Sequence, residues 1–108
     1  RIPMIWTGGA IKGPMVVDKY ASQIDLANTL LSQIGLDASE FKFSKNIFGN
    51  KYNEFAFYAF NDGFGFITPN GSSVYDCGGN MPLVEDDPAL TEKGKAFLQS
   101  LYDDLAKR

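Results

Sequence analysis

Histidine is absent from the sequence, and cysteine occurs once, at Cys77. The first absence removes the commonest general base near neutral pH and the commonest metal ligand. The second excludes an internal disulfide and any zinc site built from a cysteine cluster. Positive charge is also scarce: ten Lys and Arg against thirteen Asp and Glu give a net charge of -3 and a pI near 4.7. That balance leaves no basic surface to neutralise phosphates, so nucleic acid is excluded as the main partner. No apolar run reaches the roughly 18 to 20 residues that span a bilayer, so no membrane contact is expected of this segment. No charged-then-apolar leader opens the chain, and its first residue is Arg1 rather than Met, so either an excised piece of a longer protein or a processed chain is expected, itself soluble.

What is present suits a single small core. A chain of 108 residues that is 44% hydrophobic and 21% charged has the balance of an average globular domain. Aromatics make up 14% of it, so much of the burial must come from Phe and Tyr.

Hydrophobic spacing gives the elements. The apolar run Ile2 to Trp6, closed by Thr7-Gly8-Gly9, reads as a short buried strand. A helix follows over Ser22 to Leu36. Ser22 is placed to cap it and Asp25 stands three residues on, as in a capping box. Ile24, Ala27, Leu31 and Ile34 form a stripe widened by Leu30, and Gly35 fits a left-handed C′ position followed by Leu36. The segment 37–53, with Phe41, Phe43, Ile47 and Phe48 among polar residues, reads as a connecting loop whose aromatics tuck beneath it.

Alternation then sets in. Phe55, Phe57 and Ala59 alternate with Ala56, Tyr58 and Phe60, and Asp62-Gly63 suits a two-residue type I′ turn with Ala59 opposite Phe66 and Phe60 opposite Gly65. Thr68-Pro69-Asn70-Gly71 predicts a second turn, with Pro69 and Asn70 central and Gly71 as a bulge. The result is a three-stranded antiparallel meander. One face carries Phe55, Phe57, Phe64, Phe66 and Val74, the other Tyr58, Phe60, Ile67 and Tyr75; a one-residue slip would exchange Val74 and Tyr75. Met81 to Asp87 reads as a linker, and Asp87 caps a last helix with Pro88 at its first position. Leu90, Phe97, Leu98, Leu101 and Leu105 form that helix's stripe, which covers the phenylalanine face. Gly94 weakens it by roughly 1 kcal/mol relative to Ala.

No constellation within the chain carries chemistry. Gly63 to Phe66 and Thr7 to Gly9 lack the spacing of a phosphate loop. Cys77 has no His to activate it and reads as a small packed residue. Asp18, Asp25, Asp62 and Asp76 do not gather into a calcium loop, so no metal ligand, cofactor-binding or catalytic residue is assigned. Trp6, Tyr52, Tyr58 and Tyr75 could instead form a platform on which sugar rings stack, the mark of a carbohydrate-binding or protein-interaction module.

Two stretches resemble a known family. Arg1 and Pro3 at the opening of the first strand, then Ser22, Asp25, Thr29, Leu30, Leu31 and Gly35 in the helix, are similar to the pattern of the sulfatase family within the alkaline phosphatase superfamily. Phe41 to Phe48 and Phe60 to Gly71 resemble, more narrowly, the C-terminal part of bacterial membrane-anchored sulfatases of the lipoteichoic-acid-synthase type. The resemblance implies an α+β fragment of an α/β parent: residues 1–36 the last strand and helix of the main domain, residues 37–108 an antiparallel sheet with a terminal helix. It implies a parent enzyme that hydrolyses or transfers sulfate or phosphate esters with a divalent cation (Ca, Mg or Mn) on the extracytoplasmic side of a bacterial membrane. The nucleophile and metal ligands of that parent would lie upstream, in the catalytic part that is this segment's partner. An apolar patch around Ile2 to Trp6 and the first helix is expected where that part packed, and it would promote self-association.

Overall fold

The computed structural model describes all 108 residues. They form two compact units, one of residues Arg1–Lys19 and Gln23–Tyr52, the other of Tyr20–Ser22 and Asn53–Arg108. The elements are α1 (Asp25–Gln33), β1 (Ala56–Phe60), β2 (Gly63–Thr68), β3 (Gly71–Asp76), β4 (Met81–Glu85) and α2 (Pro88–Ala106).

In the first unit α1 is the only regular element. It ends as its sequence predicts: Gly35 has φ +77°, the Leu36 N–H donates to Leu31 O at 2.9 Å and the Gly35 N–H to Ser32 O at 3.3 Å. These are the paired bonds of a Schellman motif. Its start differs, because Ile24 occupies the cap position and no side chain caps it. No strand forms over Ile2–Trp6. An extended segment becomes a strand only by pairing, and nothing in the chain pairs with it. Residues 38–52 run through successive turns, with Phe41 N–H donating to Ala38 O, Ser44 to Phe41 O and Gly49 to Asn46 O.

The second unit is a four-stranded antiparallel meander in the order β1-β2-β3-β4, with α2 packed against β2 and β3. The fourth strand replaces the expected linker. Its residues are all exposed, and Pro82 and a bulge between Val74 and Tyr75 of the opposing strand interrupt its ladder, so it shows neither alternation nor a clean apolar run. The first turn is Asn61-Asp62, with φ +59° at Asp62, and it pairs Phe60 with Gly63 and Ala59 with Phe64. This register lies two residues from the expected one. Because side chains alternate with a period of two, Phe57, Phe64 and Phe66 still share a face.

The second turn corrects the expected register by one residue. Thr68 pairs directly with Gly71, leaving Pro69-Asn70 as a two-residue connection without a bulge, and Gly65 then faces Val74 while Phe64 faces Tyr75. Tyr75 therefore points to the core face and Val74 away from it. Pro69 accepts this because the first central position of a turn has no ladder bond to donate. Tyr75 gains burial at 6% exposure, stacked on Phe64 with centroids 5.7 Å apart and with the Lys95 ammonium 4.4 Å above its ring.

Phe57, Phe64, Phe66, Tyr75 and Leu90 make the core, with Phe55, Phe97, Leu98 and Leu101 packed around them. Leu105, expected in the stripe, is 64% exposed beyond the sheet. Asp87 caps α2 by accepting the Ala89 N–H at 2.9 Å. Gly94 has a reason that helix propensity hides: a Cβ there would lie 2.1 Å from the Phe64 ring. The missing side chain lets the helix axis approach the sheet, and Phe64 is fully buried as a result. Beside it the Ser73 and Thr91 hydroxyls share a hydrogen bond of 2.6 Å, which satisfies two buried polar groups at once.

Candidate functional site

Each residue singled out by the sequence has a definite place, and most are joints. Ser22, expected to cap α1, instead holds the outer edge of β1: its Oγ accepts the Phe57 N–H at 2.7 Å and donates to Phe57 O at 3.1 Å. Next to it the Tyr20 N–H donates to Glu54 Oε1 at 2.8 Å. One hydroxyl thus occupies both ladder groups that an edge strand would leave open.

In the first unit the buried face of α1 is polar. Asp25 and Thr29, four residues apart, are its two buried side chains, whereas Ile24, Leu30 and Ile34 of the expected stripe are 43, 43 and 51% exposed. Asp25 Oδ1 accepts the Lys45 N–H at 2.9 Å, and Oδ2 faces the Lys45 ammonium at 3.4 Å and the Tyr52 hydroxyl at 3.5 Å. Thr29 Oγ1 accepts the Ile47 N–H at 3.0 Å and lies 2.7 Å from Asp25 O, to which it donates. Asn28 adds its backbone N–H to Ser44 Oγ and its amide to Ser44 O. The helix therefore organises the loop 44–47 through hydrogen bonds rather than apolar packing. Burial pushes the Lys45 ammonium below its usual range, and the Asp25 carboxylate opposes that shift. Lys45 and Lys19 both approach the Tyr52 ring, at 5.1 and 5.5 Å, and Trp6 meets Phe48 edge-on at 6.5 Å.

The surface of the first unit is correspondingly apolar. Ile2, Met4, Ile5, Met15 and Val16 are between 56 and 93% exposed. Ile24, Leu30 and Ile34 of α1 add to these, so the first unit exposes more large apolar side chains than it buries.

In the second unit a shallow cavity of about 360 Å³ opens between α2 and the turn after β3. Phe64, Tyr75 and Leu98 floor it, and Cys77, Asn80 and Lys95 stand at its rim. No carboxylate lines it, and Cys77, expected to be packed, is exposed. Asp25 spends its oxygens on Lys45 and Tyr52, Asp18 pairs with Arg1 at 3.7 Å, and Asp76 accepts the Gly78 N–H at 3.0 Å. No three Cys, Asp or Glu side chains converge, and the donor sets present do not fit a divalent cation.

The expected platform of four aromatics divides. Tyr75 lies in the core, Trp6 and Tyr52 belong to the first unit, and Tyr58 is left on the outer face of the sheet beside Phe60 at 6.3 Å. Ser22 is expected from the sequence as the cap of α1 rather than as a partner of β1, and the hydrogen bonds of Thr29 and Lys45 have no counterpart in the sequence reading. The one signal for them is that Asp25 and Thr29 stand four apart, opposite the apolar stripe, and so share a polar helix face. No helix is long and apolar enough to cross a membrane. None of the family models, curated proteins or solved structures compared with the chain matches it.

Proposed function

We propose that the chain is the non-catalytic C-terminal lobe of a sulfatase-like hydrolase or transferase acting on sulfate or phosphate esters, and that its role is to complete the fold of the catalytic part. The observation that carries this reading is the inside-out packing of α1. The helix buries Asp25 and Thr29 and leaves Ile24, Leu30 and Ile34 exposed, and Ile2, Met4 and Ile5 of the same unit are exposed as well. An apolar face of this kind is stable in water only when something covers it. A neighbouring strand in the parent would give Ile2–Trp6 the ladder partner that it lacks. The residues that carry the family resemblance support the same reading, since Ser22, Asp25, Thr29 and Gly35 all hold backbone. The divalent cation and the nucleophile then belong to the parent's upstream part, on the extracytoplasmic side of a bacterial membrane.

The test has two parts. The purified 108-residue chain, supplied with Mn²⁺ or Ca²⁺, is expected to leave aryl sulfates and bis-phosphodiesters intact, and turnover of either overturns the proposal. The chain is also expected to bind an environment-sensitive apolar dye and to self-associate. Ile5→Lys with Leu30→Lys should abolish both while leaving the circular dichroism spectrum unchanged. An upstream coding sequence with no acidic metal-ligand set and no nucleophile would also refute it.

A further inference from the structure

The outer face of the sheet, turned away from α2, combines two features. On it Tyr58 pairs with Gly65 and Phe60 with Gly63, and a Cβ on either glycine would lie 2.2 and 2.4 Å from the opposing ring. The outer ends of the two rings therefore occupy the space that two side chains would fill, and Tyr58 and Phe60 are 44 and 41% exposed. The second feature is charge. The register places Asp76 on the same face, one strand beyond Gly63, and Asp62 stands in the adjoining turn; both come within 4 Å of where a Cβ of Gly78 would stand. Neither is in an ion pair. The second unit holds nine carboxylates and four cations, and all four cations (Lys93, Lys95, Lys107 and Arg108) lie in α2 or directly after it. The helix covers the opposite face, so the outer face carries negative charge without a basic residue of its own unit.

We infer that this face binds an organic cation, an ammonium or quaternary ammonium group on a small apolar body. The ring faces of Tyr58 and Phe60 offer the negative side of their quadrupoles to the cation. Asp76 and Asp62 supply the opposing charge at the edge of the platform, and Val74, beside Gly65, gives the ligand's methyl or methylene groups an apolar contact. An anion is repelled by the same carboxylates. A neutral sugar would gain the stacking but not the electrostatic part. The inference does not rest on the ester-hydrolase reading, because it uses only the sheet.

The experiment is a titration of the full 108-residue chain followed by backbone amide NMR, with choline, its neutral isostere 3,3-dimethylbutan-1-ol, and glucose as probes. Choline is expected to shift the signals of Tyr58, Phe60, Gly65 and Asp76 saturably, and each neutral probe to bind at least about 3-fold more weakly, the size of a surface cation–π contact. Asp76→Asn keeps an acceptor for the Gly78 N–H and should weaken choline about 3-fold. Phe60→Leu keeps Gly63 covered and should weaken it similarly. The inference is overturned by no saturable shift at these residues, by equal or better binding of either neutral probe, or by unchanged affinity in Asp76→Asn.

Discussion

The two units hold their shape by opposite means. The second buries Phe57, Phe64, Phe66, Tyr75 and Leu90 beneath a helix and seals the polar remainder with one hydroxyl pair. The first buries Asp25 and Thr29 with only Ala38 and Ile47 as buried apolar residues, and leaves Ile2, Met4, Ile5 and Leu30 exposed. An aromatic core stabilises through area removed from water, at about 25 cal/mol per Å². A polar hub stabilises through hydrogen bonds that are each worth about 1 kcal/mol net, and more when one partner is removed. The second unit therefore rests on buried aromatic area, and the first on a polar hub with much of its apolar surface exposed.

The comparison breaks most sharply at Phe64. Phe64→Ala should destabilise the second unit by about 3 to 5 kcal/mol, read from its denaturation midpoint, because the ring is fully buried against Gly94 and Tyr75. Leu30→Ala in the first unit removes a side chain that is 43% exposed and should cost less than about 1 kcal/mol. Equal costs would erase the distinction. Thr29→Val comes next. It strands the Ile47 N–H and should cost about 1 to 3 kcal/mol, seen as faster amide exchange at Ile47 with protection in β2 and β3 unchanged.

Gly94→Ala sharpens the picture of the aromatic core. Helix propensity alone favours Ala by about 1 kcal/mol, but the new methyl would meet the Phe64 ring, and overpacking costs typically about 1 to 3 kcal/mol. The expected net outcome is a lower melting temperature. The smallest effect concerns pH. Folding holds the Lys45 pKa below 10.5, so below its folded value both states are protonated and the cost of burying the charge is present in full. As pH rises from the folded value towards 10.5, the unfolded chain holds more protons than the folded one, and the stability of the first unit should increase. Lys45→Gln should flatten that rise in thermal melts taken across the alkaline range.

Much of the second unit was legible in the sequence. Asp87-Pro88 marked the start of α2, and the alternation from Phe55 to Phe66 placed the phenylalanines on one face whichever two-residue register the first turn chose. The choice at Pro69 was harder, because both connections avoid a missing N–H. Burial of the Tyr75 ring, which the residues of the turn do not encode, goes with the direct pairing. β4 was hidden by Pro82 and by exposure on every residue, which erase the periodic signal of a strand. In the first unit the C-terminal stop of α1 at Gly35 was legible, and Ile24, Leu30 and Ile34 of its stripe are exposed while Ala27 and Leu31 are half-buried; the polar face of Asp25 and Thr29 was not legible. Hydrogen bonds from Asp25 and Thr29 to residues about twenty positions away leave no periodicity to detect.

Ser22 carries a last consequence. Its hydroxyl belongs to the second unit although the residues on either side of Tyr20–Ser22 belong to the first, so the chain passes through the sheet's edge before it builds the sheet. A shortened version that begins at Asn53 would keep every strand and α2 but bare the Phe57 backbone on an edge strand, a template for pairing between molecules. The smallest self-contained form of the sheet is therefore discontinuous in sequence. Trimming the protein to its visible elements would open the β1 edge of the sheet to pairing between molecules.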